Sequence, residues 1–240
     1  MDMEIEGEQA VVKDEDLFKA AENGDSSIFE ALSHQQLLKS LSLRNEDRRS
    51  LLHVAASSSR SAVVKILSAA DPSVSGINSP DEEGWVPLHS AASIGNVEIV
   101  EILLSRGQGQ GLEAEGPRQA SSISQSGGRF DTASTCDTFR ADVNLKNDGG
   151  RTALHYAASK GNSELCELLI EEGAEIDATD RAGQTPLMNA VICENKEVAL
   201  LLIRHGADVD VEDKEGYTIL GRASKDLRPA TCSATSKITV

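Results

Sequence analysis

Five histidines and four cysteines are the side chains of this sequence that could bind a metal or carry out catalysis. Three of them, His53, His89 and His155, share one local context, with a leucine just before and an Ala-Ala pair two residues after. A shared site would require the three imidazoles to converge, whereas side chains at one position of successive repeats lie side by side in a row. The pattern therefore predicts that each histidine bonds the backbone of a neighbouring turn and has a structural role.

The sequence contains no motif typical of an enzyme: HExxH, GxSxG, a P-loop and GxGxxG after a strand are all missing. Its cysteines form no CxxC pair, which predicts free thiols in a reducing compartment. Cys166 lies on an apolar helix face and is assigned to the core, and Cys193 has no candidate base nearby. The other two are Cys136 and Cys232. We therefore expect a non-enzymatic protein with no catalytic residues, no cofactor and no metal.

Composition limits the kind of partner. The 240 residues are 39% apolar but only 3% aromatic, which suits thin layers of small helices better than one thick core. The formal net charge is −16, from 39 acidic and 23 basic residues. Binding to nucleic acid or to an anionic membrane surface requires surplus Lys and Arg, so we expect neither as a partner. A basic protein partner is favoured instead.

The sequence does not predict a secretory signal or a membrane span. Its first residues, MDMEIEGEQAVVKDEDLF, are acidic and lack the basic and apolar regions of a secretory signal. The longest apolar run, 198–203, is six residues, far shorter than a membrane span. We expect a cytoplasmic and nuclear protein.

Internal repeats organise the rest of the sequence. Leu88, Leu154, Leu187 and Leu220 recur at intervals of 66, 33 and 33 residues, and each follows a glycine by four positions. The segments read DEEGWVPLHSAASIGN, NDGGRTALHYAASKGN, DRAGQTPLMNAVICEN and DKEGYTILGRASKD. NEDRRSLLHVAASSSR repeats the pattern 36 residues upstream, and DLFKAAENGD keeps only its core.

Each repeated residue type has a structural reason. The glycine permits a positive φ at a turn, while Thr185 and Thr218 are placed to cap a first helix, with Pro186 at its first position. Paired alanines make this helix narrow, and a second helix carries large apolar residues at helical spacing. Gly173 and Gly206 follow the ends of second helices, where glycine is favoured.

A 33-residue period with Gly-x-Thr-Pro-Leu and Ala-Ala resembles the ankyrin repeat. The resemblance implies an all-α solenoid of about six helix-turn-helix units with finger turns. The predicted divisions are an acidic tail over 1–13, a cap and two repeats over 14–107, an insert over 108–140, two full repeats and one partial repeat over 141–227, and a tail over 228–240.

Two segments depart from the repeat. Residues 108–140 contain five Gly and five Ser, no helix start like that of the repeats and no second apolar helix, which predicts a disordered loop; a decayed repeat is the alternative. Beyond about Leu227 no amphipathic helix follows, so fraying is expected there. An alternative transcript or a gene-model error would explain both departures equally well.

Finger tips and exposed first-helix positions form a continuous surface in a solenoid of this kind, and it is the candidate partner-binding face. Residues 171–216 hold twelve acids and four bases, half of the net charge, and Trp85 is expected to be an exposed anchor. For any one carboxylate, a solvated surface position is the alternative. The candidate residues are Asp81, Glu82, Glu83, Trp85, Asp148, Arg151, Tyr156, Lys160, Asp180, Arg181, Asp213, Glu215 and Tyr217.

Three stretches, DEEGWVPLHSAASIGNVEIVEILL, GGRTALHYAASKGN and LLIRHGADVDVEDKEGYTILGRAS, resemble the plant form of the gankyrin family, the non-ATPase regulatory subunit 10 of the 26S proteasome. The resemblance implies a monomeric assembly chaperone whose concave face binds the C-terminal domain of a regulatory-particle ATPase subunit. It places Asp81, Glu82, Glu83, Trp85, Arg151 and Arg181 on that face. A general ankyrin adaptor in signalling or ubiquitin-ligase recruitment is the alternative function, and a product that folds poorly is a third.

Overall fold

The computed structural model describes residues 12–70, 74–105 and 140–223, and every regular element in these ranges is a helix. The helices are α1 (Asp14–Asn23), α2 (Ser26–Glu30), α3 (His34–Leu41), α4 (Leu51–Ser57), α5 (Ser61–Ala70), α6 (Val74–Ile77), α7 (Pro87–Ile94), α8 (Val97–Leu104), α9 (Ala153–Lys160), α10 (Ser163–Glu171), α11 (Pro186–Ile192), α12 (Lys196–Arg204) and α13 (Ile219–Arg222).

The helices form two layers. Helices α1, α4, α7, α9, α11 and α13 pack in sequence order as an inner layer, and α2, α5, α8, α10 and α12 form an outer layer behind them. Helix α3 packs on α4 and α5 as an addition to the first unit. The predicted all-α solenoid of helix pairs is confirmed. The sequence did not predict the short helix α6.

Side-chain size explains the two layers. The alanine pairs of the inner helices, such as Ala91-Ala92 and Ala157-Ala158, are fully buried and let neighbouring helices approach closely. The outer helices supply bulk through residues such as Ile99, Leu103 and Leu169, each at most 1% exposed. No repeat covers its own apolar face, so stacking supplies the core.

The turns follow the repeat as predicted. Gly84, Gly150, Gly183 and Gly216 all have φ between 76° and 79°. A Cβ at Gly150 would lie 2.8 Å from the backbone nitrogen of Arg181, so this position also needs the space that glycine leaves. Thr185 accepts a hydrogen bond from the Met188 amide at 3.3 Å and caps α11. Thr218 occupies the N-cap position of α13 without a side-chain cap bond.

His53, His89 and His155, which we call the histidine row, each link their own repeat to the next one, as the sequence predicts. In all three residues Nδ1 accepts the backbone N–H of the helix N-cap, at 3.1–3.2 Å, which leaves Nε2 protonated as a donor. Nε2 then donates to a carbonyl of the following repeat. The pairs are His53 with Trp85 at 2.8 Å, His89 with Leu145 at 2.9 Å and His155 with Gln184 at 3.1 Å.

Repeats on either side of 106–139 stack directly on each other. Helix α7 packs against α9, the Ala141 amide donates to the Leu103 carbonyl at 2.9 Å, and the Asp148 amide donates to the Glu83 carbonyl at 3.0 Å. The helical stack is therefore continuous across the predicted insert. Some expectations concern residues that, apart from 12–13 and Arg140, fall outside the described ranges. They are the expectations for 108–140, for the two tails, for Cys136 and Cys232 and for fraying beyond Leu227. The predicted divisions of the chain therefore stay predictions.

The histidine row makes stability depend on pH. Burial is the main cause that lowers the pKa of His89 and of His155 from 6.5 to about 4. Unfolded histidines take up protons near pH 6.5 while the folded ones remain neutral, so the free energy of unfolding falls as pH drops from about 6.5 towards 4. Urea midpoints at pH 7.5, 6 and 5 measure this. The His89→Asn, His155→Asn double variant should start less stable and have a flatter profile; an equal slope in both proteins would contradict the assignment.

Glu194 and Gly161 occupy equivalent turn positions, and substitutions at the two should change the free energy of unfolding in opposite directions. Glu194 has φ 62° at the position where the preceding repeat has Gly161 with φ 79°. Glu194→Gly should raise the free energy of unfolding by about 0.5–1 kcal/mol, because the left-handed backbone then costs less. Gly161→Ala should lower it, since its Cβ would lie 2.6 Å from Asn195 Oδ1. Thermal unfolding of both variants tests the pair, and a shift in the same direction would be inconsistent with this explanation.

Candidate protein-binding face

Five fingers line one edge of the inner helices, and we call this surface the finger row. Backbone hydrogen bonds join each finger to the next: Glu82 N to Asp47 O at 3.2 Å, Asp148 N to Glu83 O at 3.0 Å, Arg181 N to Gly149 O at 2.8 Å and Lys214 N to Ala182 O at 2.9 Å. The predicted finger-tip residues therefore lie along one continuous surface. The fingers are residues 45–49, 81–85, 147–151, 180–184 and 213–217.

The first residue of each finger is structural, which corrects part of the predicted site. Asp81 Oδ1 accepts from the amides of Glu83 at 3.0 Å and Trp85 at 2.8 Å. Asp180 and Asp213 make the same pair of bonds in their own fingers. The three residues are only 5–8% exposed, so these carboxylates hold the turn rather than face solvent. Asn147 opens the remaining predicted finger and accepts the Arg151 amide at 3.0 Å.

The second carboxylate oxygen of these aspartates binds an arginine. Arg49 reaches forward to Asp81 at 3.4 Å, and Arg151 reaches forward to Asp180 at 3.3 Å. Asp213 is bound by Arg222 of its own repeat, with Nε at 2.7 Å. Arg151, a predicted partner contact, is thus already paired, with its side chain 43% exposed. Sequence reasoning missed Arg49, although it precedes its helix cap as Arg151 does.

Trp85 is not the isolated exposed anchor that the sequence predicts. It is half-buried and packs against Tyr156, with ring centroids 4.6 Å apart, and its edge meets His89 at 6.1 Å. The Tyr156 hydroxyl accepts from Asn147 Nδ2 at 2.7 Å. Burial raises the pKa of Tyr156 above 10. Because Asn147 carries no charge, this junction uses an aromatic stack where its neighbours use an arginine–aspartate pair.

The last finger surrounds an arginine. The guanidinium of Arg222 lies 4.6 Å from the centre of the Tyr217 ring, and Nη2 donates to Glu215 at 2.8 Å. Tyr217 is 48% exposed. Glu215 and Tyr217 therefore lie at the end of the finger row but bind a cation of the chain itself.

The charge on the finger row is distributed differently from the prediction. Many of the acids in 171–216 lie outside the fingers, in the loops that follow the outer helices along the chain, among them Glu175, Asp177, Asp208 and Asp210. Fingers 45–49, 81–85 and 147–151 carry five of the six exposed acids of the row and the exposed Arg48. The next two fingers expose Arg181, Lys214 and Glu215. The exposed acids of the first three fingers are Glu46, Asp47, Glu82, Glu83 and Asp148. Lys160, at the end of α9, is also exposed.

The two cysteines within the described residues, Cys166 and Cys193, are free thiols in different environments. Burial raises the pKa of the Cys166 thiol to about 12, as suits its predicted core position, and Cys193 is exposed at the end of α11. Within the described ranges, no group of three or more potential ligands could hold a metal ion. No helix found there has the length and apolar character needed to cross a membrane.

Stacked helix pairs joined by finger turns define the repeat proteins, in which equivalent residues of successive repeats form one extended surface. The family model described as "Ankyrin repeats (3 copies)" matches residues 17–113 and 126–226, and the chain belongs to the ankyrin-repeat family. The two matches extend into both ends of the predicted insert.

Among curated proteins, the chain is 30% identical to a "Probable 26S proteasome regulatory subunit p28" of Saccharomyces cerevisiae over 141 residues. That alignment spans 56% of this chain and 62% of the yeast protein. This chain is also 28% identical to "Alpha-latrotoxin-Lh1a" of Latrodectus hasselti, over 66% of this chain and 12% of the toxin. It is 29% identical to the human "Transient receptor potential cation channel subfamily A member 1", over 50% of this chain and 11% of the channel.

The structural role of the finger aspartates predicts a large stability effect at Asp180. Asp180→Ala should lower the free energy of unfolding by about 2–4 kcal/mol, because two backbone amides and Arg151 lose their acceptor. Glu82→Ala removes an exposed carboxylate from the finger 81–85 and should change stability by less than about 0.5 kcal/mol. Urea denaturation compares the two variants. Similar effects would mean that Asp180 is a surface group after all.

Proposed function

We propose that this protein is an assembly chaperone that binds the C-terminal domain of a proteasome regulatory-particle ATPase subunit through its finger row. The coarser function is plain: ankyrin repeats form a protein–protein interaction scaffold. The finer one rests on the likeness to the yeast regulatory subunit and on the finger row. We further propose that the protein acts as a non-enzymatic monomer in the cytoplasm and nucleus.

The observation that carries the proposal is the exposed acidic surface on the first three fingers. Glu82, Glu83 and Asp148 lie on adjoining fingers, joined by a backbone bond between Asp148 and Glu83. A surface of this charge steers and orients a basic partner, although each rim ion pair contributes only about 0.2–1 kcal/mol. Trp85 and Tyr156 add a half-buried aromatic surface beside these acids.

A general adaptor function is the second candidate. Similar identity to a toxin and to a channel is what repeats in otherwise different proteins produce. The two candidates differ in the partner: an isolated ATPase subunit in the first, and signalling or ubiquitin-ligase proteins in the second.

Affinity capture from cell extract with mass spectrometry distinguishes them. The tagged chain should capture a proteasomal ATPase subunit but not mature 26S particles, because a chaperone leaves once assembly is complete. Capture of mature particles alone, or of no ATPase subunit, would overturn the proposal. A parallel version lacking 108–140 tests whether that segment affects capture.

Charge reversal tests whether the finger row is the contact surface. Glu82→Lys with Glu83→Lys should reduce capture of the ATPase subunit by at least about tenfold, since attraction becomes repulsion at two sites. The matched control is Glu167→Lys with Glu171→Lys, an equal change of charge on exposed residues of the outer helix α10. Equal loss in both double variants would indicate a nonspecific effect of net charge and would argue against this face.

A further inference from the structure

The finger 213–217 shows how these repeats can bind an arginine side chain. Arg222 lies over the ring of Tyr217 at 4.6 Å, donates to Asp213 from Nε at 2.7 Å and donates to Glu215 at 2.8 Å. An aromatic face combined with charge-assisted hydrogen bonds is a strong arrangement for a guanidinium. The first, third and fifth residues of this finger supply all three contacts.

The finger 81–85 has the same residue types at the same positions. Asp81, Glu83 and Trp85 correspond to Asp213, Glu215 and Tyr217, and Asp81 bonds the same two amides of its finger as Asp213 does. Of the five described fingers, only these two combine an acid at the first and third positions with an aromatic ring at the fifth.

The arginine itself is missing from this finger. Arg222 follows Tyr217 by five residues, and the residue five positions after Trp85 is Ser90. Ser90 is 3% exposed, and its hydroxyl has no hydrogen-bond partner within the described structure. Arg49 occupies only Asp81, so Glu83 remains exposed without a bound cation among the described residues, beside the half-buried ring of Trp85.

We propose that the finger 81–85 is a subsite for one arginine side chain of the protein partner. Its guanidinium lies over the side of the Trp85 ring that does not pack against Tyr156 and donates to Glu83, in the way that Arg222 lies over Tyr217 and donates to Glu215. Arginine is preferred over lysine because a planar guanidinium stacks on an aromatic ring and presents several donors at once. The inference deepens the proposed function, and it rests on that function only for the requirement that a basic protein binds the finger row.

Trp85 is the only tryptophan of the chain, so its fluorescence reports directly on this subsite. The probe is an alanine-based helical peptide with one central arginine, compared with otherwise identical peptides that carry lysine or citrulline. The arginine peptide should change Trp85 emission saturably and bind about five- to tenfold more tightly than the other two. Equal affinity of the three peptides would overturn the proposal.

Two exposed carboxylates of the same finger supply a matched comparison. Glu83→Gln should reduce the affinity for the arginine peptide to that for the lysine peptide. Glu82→Gln makes the same change of charge at the position of Lys214, which takes no part in binding Arg222. It should lower the affinity for the arginine and lysine peptides by the same small factor and keep the preference for arginine. Equal loss of this preference in the two variants would overturn the subsite.

Ser90→Arg tests the inference from within the chain. The new arginine should occupy the subsite as Arg222 does, so a folded variant should no longer bind the arginine peptide. A folded variant with unchanged affinity would contradict the proposal; if the substitution prevents folding, as circular dichroism would show, the Glu83 and Glu82 comparison decides alone. Peptide binding without capture of an ATPase subunit would support the subsite and overturn the proposed partner. If the chain captures the ATPase subunit but the Glu83→Gln and Glu82→Gln variants bind the arginine peptide equally well, the proposed partner is supported and the subsite is overturned.

Discussion

The whole binding surface depends on the hydrogen bonds made by the first side chain of each finger, which is buried in four of the five fingers. One oxygen of Asp81, Asp180 or Asp213 fixes two amides of its own turn, and the other binds an arginine. A turn of five residues has no core to hold it, so an acceptor in its centre determines its shape. Once the shape is fixed, glycine at the fourth position of the fingers 81–85, 147–151 and 180–184 lets the next finger approach closely enough for a backbone hydrogen bond.

The same interaction joins local structure to the stack. Arg49 and Arg151 each belong to one finger and bind the aspartate of the next, and the histidine row makes a second set of bonds between the same repeats. Each repeat is therefore held to its neighbours by a polar network as well as by apolar packing. Where Asn147 replaces the aspartate, the charge that would need an arginine disappears, and Trp85 packs against Tyr156 instead. The junction across 106–139 thus closes by a different contact with the same geometry.

Much of the fold follows from the sequence because the repeat is periodic. Glycine φ values and the Thr185 cap depend on residues close in sequence and could be predicted position by position. The bonds of the histidine row reach the next repeat, and they could be predicted because the period places the three residues in one row. The candidate site was harder to predict because a carboxylate in a turn has the same sequence signal whether it faces solvent or its own backbone. The Asp-x-x-Gly spacing was the available clue to the buried role of Asp81 and Asp180. Nothing local indicates that Trp85 meets Tyr156, since that contact joins two repeats across the predicted insert.

The net charge of the chain is therefore a poor measure of the exposed charge on the finger row that a partner can contact. The chain has a formal net charge of −16, but three acids of the finger row are buried and hydrogen-bonded to their own turns, and several more lie outside the fingers in the loops after the outer helices. What remains on the fingers is a small set of exposed carboxylates whose long-range attraction is screened within about 8 Å at physiological salt. Such charges bring a basic partner to the surface and orient it, but they do not by themselves choose its residues. Selectivity must come from short-range contacts that fix geometry, and an aromatic ring held rigidly by its neighbours beside a free carboxylate is the kind of contact that provides it.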